Sequence, residues 1–464
     1  MTHTLNNSMA GFIPECNISF NGGDLSSDTG AILPLDFINS NSLLQPYADL
    51  PFSDERQSCK GKNSNFSLMS QQVFKYLLGY SSQADQKVLA KDPVLCQYFQ
   101  GISSQSSVSR FFSRVCEDTN NAFWQIFMDQ ACQFISSNQD DILLDADSTK
   151  TDTYGKQEGA AWIHHYSQTG YHPFVINEYN SKTLVGAWLR PGSTYSADEA
   201  EPIMAEVLKR LPDWTAAGRL RIIMFRGDAA FYSGDLMDLF EGRFNPVRYA
   251  IRAKGTDRLE SLCQDAYYDS SDREEDSTYT SAKPFYGEIR YQMSNSSKSR
   301  RVCFKLYFTE EEDKKGQAQL LLVPHVFAVI TNIEDMTVKQ VIDFYCQRGS
   351  SENYTKELKS DFMANTLSHR SFEANAFEFL LKCLAYNLFH FFQFRVMEGA
   401  DQNMTCGSFR KKYQKVASRL SFHARSFHLK IASSFRHADR FTRYLQKSRT
   451  IGWTAAHMCC IHFK

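Results

Sequence analysis

Between residues 141 and 252 the order of apolar segments leaves few folds open. Ile142-Leu143-Leu144-Asp145-Ala146-Asp147 reads as a strand that ends in carboxylates. His172 to Asn177 and Leu184 to Leu189 read as two more, with a turn at Asn180-Ser181-Lys182 between them and a stop at Arg190-Pro191-Gly192. A helix is expected next: Ser196 and Glu199 fit a capping box, Pro202 can delay the start, and Ile203, Met204, Val207, Leu208 and Leu211 recur at helical spacing. Leu220 to Phe225 is a fourth strand, closed by Arg226-Gly227-Asp228, and a helix over about Gly234 to Phe240 leads to a fifth at Tyr249 to Arg252.

Three strands in hairpin order, then helix, strand, helix, strand, is the order of a ribonuclease-H-like core and not of a repeating βαβ sheet. The expected class is therefore α/β. Around that core the chain divides into a polar arm over 1–65 and a helical region over 66–138. The core takes 139–255 and 336–400, a β-rich insertion takes 256–335, and a basic helical region takes 401–464. In the helical region, Ser103 to Ser107 ahead of Val108-Ser109-Arg110-Phe111-Phe112-Ser113-Arg114 resembles the second helix of a helix-turn-helix, which makes 66–138 a DNA-binding candidate. In the insertion, the tyrosine-rich stretch Asp265 to Tyr279 is expected as a loop. Ile289, Tyr291 and Met293 alternate opposite Val302, Phe304, Leu306 and Phe308 as a hairpin, and Leu320 to Val323 and Val326 to Ile330 add separate strands.

The 464 residues are 42% hydrophobic and 22% charged, which excludes a disordered chain or a small disulfide scaffold. Lys plus Arg (51) and Asp plus Glu (52) nearly cancel, but unevenly along the chain. The first 65 residues hold seven acidic and three basic side chains; residues 401–464 hold thirteen basic and two acidic ones, interleaved with Phe409, Tyr413, Phe422, Phe427, Phe435, Phe441 and Tyr444. Such a basic, aromatic segment can track phosphates. Twelve scattered cysteines without a CxxC pair read as reduced thiols, and the run His457 to His462 is not expected to bind metal. No signal peptide is read. The apolar stretch Phe372 to Met397 carries Glu373, Glu378, Lys382, His390 and Arg395, too many charges for a membrane span, so a cytoplasmic location is expected.

The carboxylates suggest chemistry. Two-metal phosphodiester reactions need about three of them around a pair of divalent ions roughly 4 Å apart. Asp147 and Asp228 each follow a strand, 81 residues apart. A third candidate, Glu352, lies in the segment Tyr345 to Lys359, where Tyr345, Arg348, Glu352 and Lys359 share one face of a helix, subject to a kink at Gly349 or a new start capped by Ser350 or Ser351. Glu suits a metal, Arg and Lys suit phosphates, and Tyr can stack. Asp145 and Asp147 point to the same side of their strand, so either could be the first ligand; Asp147, nearer the end, is preferred.

The spacing Tyr-(2)-Arg-(3)-Glu-(6)-Lys resembles the signature of bacterial DDE insertion-sequence transposases. The ordered set Asp145 to Thr149, Tyr154 to Gln157, Ala187 to Gly192, Arg226 to Phe231 and Arg348 to Asn353 resembles the insertion-sequence 1380 family within that group. The likeness covers roughly residues 65 to 400. It implies a nucleoid-associated bacterial transposase that cuts the ends of its own element and joins the 3′-hydroxyls to target DNA. It further implies Asp147, Asp228 and Glu352 as catalytic residues and ligands of two Mg²⁺, for which Mn²⁺ can substitute. Tyr345, Arg348 and Lys359 would contact inverted-repeat DNA, and a homodimer would form the synaptic complex. Trp162 and Trp188 are candidates for stacking on an unpaired base, with core packing favoured for Trp188. Two other readings stay open: a copy that binds DNA without cutting, and a metal-dependent nuclease of the ribonuclease H type.

Overall fold

The structure is a computed structural model that describes residues 3–5, 16–18, 21–56, 63–163, 166–194, 199–294, 296–311, 321–423 and 426–454. The run His457 to His462 and the capping residue Ser196 lie outside the described residues. The chain forms two compact units, Met1–Cys116 with Phe392–Ile451, and Glu117–Phe391 with Gly452–Lys464. This boundary differs from the expected division, because the helix Glu117–Asn138 packs on the sheet of the second unit instead of joining the N-terminal helices. Phe123 meets Phe377 and Trp124 meets Trp188, so its apolar face is committed there.

The second unit is mixed α/β and is built on one eight-stranded mixed sheet. Its strands are β1 (Ile142–Ser148), β2 (Phe174–Glu178), β3 (Leu184–Trp188), β4 (Ile223–Gly227), β5 (Arg248–Arg252), β6 (Phe285–Gln292), β7 (Ser299–Glu311) and β8 (Leu321–Thr331). Their spatial order is β6-β7-β8-β5-β4-β1-β2-β3. β1 runs antiparallel to β2, and β2 to β3, whereas β4 is parallel to both β1 and β5. The helices Ala200–Arg210 and Gly234–Glu241 supply the crossovers that the parallel pairs require.

Residues 256–335 do not form a separate insertion. β8 pairs antiparallel with β5, which extends the core sheet by three strands. The two short strands expected around Leu320 and Val326 are one strand. Pro324 is tolerated inside it because β5 pairs only at Val329–Thr331, so Pro324 faces no second partner. The expected loop at Asp265 to Tyr279 is largely ordered too. Helix Asp257–Tyr268 buries Tyr267 among Tyr279, Phe285 and Phe308, so Tyr267 and Tyr279 are core, while Tyr268 stays exposed.

Helix Phe372–Val396 is buried on nearly all sides, which explains why apolar residues recur around all of it. Buried polar side chains on it find partners: Lys382 meets Glu378 at 2.9 Å, and the Asn387 side chain both donates to and accepts from the Leu184 backbone at 2.8 Å. Among the described residues no helix is long and apolar enough to cross a membrane.

In the first unit the arm contributes a core helix, Ile32–Ser40, where irregular chain or short strands were expected. Leu33, Phe37 and Ile38 are buried, and Pro34 falls within the first turn, where its missing N–H does no harm. The C-terminal region is not purely helical: Ser418–His423 and Ser426–Ile431 pair as a hairpin before helix Ala438–Thr450. Much of its positive charge is used internally. Lys415 lies 2.7 Å from Asp28, Arg449 2.6 Å from Asp36 and Lys412 2.7 Å from Asp401. The helix Gln105–Phe112 forms as expected, capped by Ser104, with Val108, Phe111 and Phe112 buried and Ser109 and Arg110 exposed.

Candidate active site

Two parallel strands that end side by side leave a crevice beyond their carboxyl ends. β1 and β4 are such a pair. Asp147 is the penultimate residue of β1, and Asp228 follows the last residue of β4. The Asp228 side chain accepts the Ala230 backbone N–H at 2.9 Å and so caps the turn Ala229–Phe231. The third element is the segment after β8. The single helix expected over Tyr345 to Lys359 is three pieces: helix Val338–Cys346, a tight turn Gln347–Ser351 and helix Glu352–Asp361. The shared-face argument therefore holds only within pieces; Glu352 and Lys359 both lie on the last of them, at the cleft. Asp147, Glu352 and Lys359 line one cavity of about 390 Å³ together with Thr149, Thr355, Lys356, Ser360 and Asn365.

Arg348 bridges the two aspartates. Its guanidinium donates to Asp147 at 3.1 Å and to the Ala146 carbonyl at 3.3 Å, and lies 3.9 Å from Asp228. Burial works against its charge, but Asp147 and Asp228 more than offset this and hold its pKa above the ordinary value. Burial pushes the Asp147 carboxyl up to about 6; Arg348 opposes this, while the nearby charges of Asp228 and Glu352 add to it. Burial lowers the Lys359 ammonium, against the pull of Asp147. Tyr345 is half-buried against Phe327, ring centroids 5.7 Å apart, and burial raises its phenol.

Asp145 is placed differently from Asp147. It is buried in a two-pronged ion pair with Arg226, both contacts 2.7 Å, and also accepts the Ser351 hydroxyl. Arg226 is itself enclosed, with Tyr179 and Phe344 rings over its guanidinium, and donates to the Phe344 carbonyl at 2.9 Å. The pair therefore ties β1 to β4 and to the turn that carries Arg348. Sequence reading gave Arg226 only as the residue that closes a strand and opens a motif, and Ser351 only as a possible helix cap, although a charged residue at the end of an apolar strand is the available signal. Trp188 packs against Trp124 (4.6 Å) and Phe174 (5.8 Å), whereas Trp162 is 52% exposed.

The carboxylates at the cleft offer oxygen donors, the kind that Mg²⁺ takes. Among the described residues no three His, Cys, Asp or Glu side chains converge tightly enough to form a ready-made cage. The Arg348 guanidinium stands between the two aspartates instead. Without added divalent ions, the raised Asp147 pKa makes folding less favourable as pH climbs from about 4 to about 6, because the folded chain holds the proton longer than the unfolded one. Asp147→Asn is therefore expected to match the wild type near pH 4 and to exceed it by on the order of 1 kcal/mol at pH 7. Thermal unfolding across that range checks this; a difference independent of pH would contradict it.

The family described as Transposase DDE domain group 1 matches residues 9–452. No curated protein matches the chain. Among solved structures, the cryo-EM structure of the piggyBac transposase synaptic complex with hairpin DNA is similar at 10% identity. That match covers 84% of this chain and 80% of that one, with a TM-score of 0.43.

Proposed function

The chain belongs to the family of transposases with the group 1 DDE domain, and from that premise we propose a DNA transposase of the insertion-sequence 1380 type with a ribonuclease-H-like core. It cuts the ends of its own element and joins the freed 3′-hydroxyls to target DNA. The observation that carries this reading is the meeting of Asp147 and Glu352 on one cleft, with Asp228 linked to Asp147 through Arg348. The strand order β3-β2-β1-β4-β5, with only β1, β4 and β5 parallel, supports the core assignment.

Asp147, Asp228 and Glu352 would hold two Mg²⁺, or Mn²⁺ in their place. Such ions activate the attacking water or 3′-hydroxyl and stabilise the leaving oxygen. The protein's own side chains do the positioning. The Asp145–Arg226 pair fixes the ends of β1 and β4, which sets the separation of Asp147 and Asp228. Arg348, released from the aspartates, and Lys359 take the phosphates of the inverted-repeat end, and Tyr345 holds the backbone beside them. The exposed face of helix Gln105–Phe112, with Ser109 and Arg110, is a second contact with the repeat. Joining two ends in one event calls for a homodimer in the synaptic complex.

A labelled duplex carrying the inverted repeats that flank the gene, incubated with protein, Mg²⁺ and a target plasmid, tests the reading. Cuts at the repeat boundary followed by joined products are expected. Cutting without joining would indicate a nuclease, and retardation without cutting a binding protein; either would overturn the proposal.

A further inference from the structure

Helix Glu352–Asp361 presents Glu352, Thr355, Lys356, Lys359 and Ser360 at intervals of three and four, one continuous stripe that lines the cleft. Glu352, Lys356 and Ser360 are exposed and Lys359 is half-buried, so most of the stripe is open to solvent, and Thr355 alone in it is buried. Here one end is a carboxylate beside Asp147, and the rest is two amines and two hydroxyls, faced by Asn365. Thr355 is the informative member. The residue is 7% exposed, and its hydroxyl is buried without a hydrogen-bond partner. A helical threonine commonly donates to the carbonyl four residues back, but this one does not. Lys356, one residue on, is exposed and enters no hydrogen bond or ion pair among the described residues. A buried, unanswered donor next to an uncommitted ammonium calls for an anionic oxygen ligand supplied from outside.

We infer that Thr355 and Lys356, with Ser360 and Asn365, form a subsite for a single DNA phosphodiester next to the one that is cut. The inference rests on the transposase reading and adds residues to it. The carboxylate end of the stripe addresses the scissile phosphate, and the hydroxyl and amine end takes a neighbouring one. The four-residue step from Glu352 to Lys356 rises about 6 Å along the helix, close to the spacing of successive phosphates along a strand. The subsite therefore fixes which phosphate comes to rest beside Asp147.

The test uses the full chain and a flanking-repeat duplex in which single phosphates near the cut are replaced, one at a time, by neutral methylphosphonates. With wild-type protein, one replacement beside the cleavage position is expected to weaken binding about tenfold. Thr355→Val and Lys356→Met are each expected to weaken binding to the unmodified duplex and to lose most of that sensitivity at the same position only. Lys356→Met should also lower the slope of log affinity against log salt by about 0.9. Thr355→Ser, which restores the hydroxyl, should recover the wild-type pattern. A purely structural Thr355 would make valine neutral and leave the phosphate sensitivity intact, which would overturn the inference while leaving the transposase reading in place. Wild-type protein that does not bind the repeat duplex would overturn both.

Discussion

Asp228→Asn is expected to lower both cutting and joining of end-repeat DNA by about 10³-fold or more while gel retardation of the same DNA changes less than about twofold. Each tenfold loss corresponds to about 1.4 kcal/mol of transition-state stabilisation, so the effect is about 4 kcal/mol, of the size that an anionic metal ligand can supply. Asparagine is the informative replacement. Asp228 also caps the turn Ala229–Phe231 through the Ala230 N–H, and an asparagine oxygen can keep that bond. The fold at the end of β4 should therefore survive, and lost turnover can be assigned to the missing charge. The 3.1 Å contact of Arg348 is with Asp147, which the substitution leaves in place. Measuring cleavage, strand transfer and retardation on one preparation checks the prediction, and retained cutting would remove Asp228 from the chemistry.

Arg226→Ala is expected to have the largest effect on stability, about 3–5 kcal/mol, because it leaves the buried Asp145 carboxylate without its cation. Both side chains are essentially inaccessible, at 0% and 2% exposure, so water cannot replace the lost partner. The mutation also removes the cation from between the Tyr179 and Phe344 rings. A loss of this size lowers the melting temperature by on the order of 10 °C. Replacing both partners, Arg226→Met with Asp145→Leu, should be milder than Arg226→Ala alone, since no buried charge is then stranded. Thermal unfolding of the three variants decides this; a double variant as damaged as the single would show that the pair matters for shape and not for charge balance.

These predictions also show what sequence could and could not supply. The strands β1 to β5 were legible because each is a short apolar run bounded by turn residues, and both aspartates sit where such runs end. The division around them was not. The pairing of β8 with β5 is a long-range contact that no local pattern encodes, so strands β6 to β8 read as an insertion although they complete the sheet. Helix Ile32–Ser40 was hidden by the polar residues around it and by Pro34. Tyr267 and Tyr279 looked like loop because their burial depends on Phe285 and Phe308, which come later in the chain. Within the candidate site, Glu352 and Lys359 were singled out by spacing. Arg348 was expected on DNA, and its contact with Asp147 across 201 residues lay beyond any spacing argument. Thr355 was missed because nothing in its neighbours along the chain announces an unanswered hydroxyl.

The central claim is that Asp147, Asp228 and Glu352 together surround the pair of divalent ions when DNA is bound. Fe²⁺ in place of Mg²⁺, with peroxide, cleaves a polypeptide backbone wherever the iron is held. In the presence of end-repeat duplex, scission within a few residues of all three positions is expected, and Mg²⁺ should suppress it. Scission near only one of them, or elsewhere in the chain while the DNA stays bound, would contradict the account.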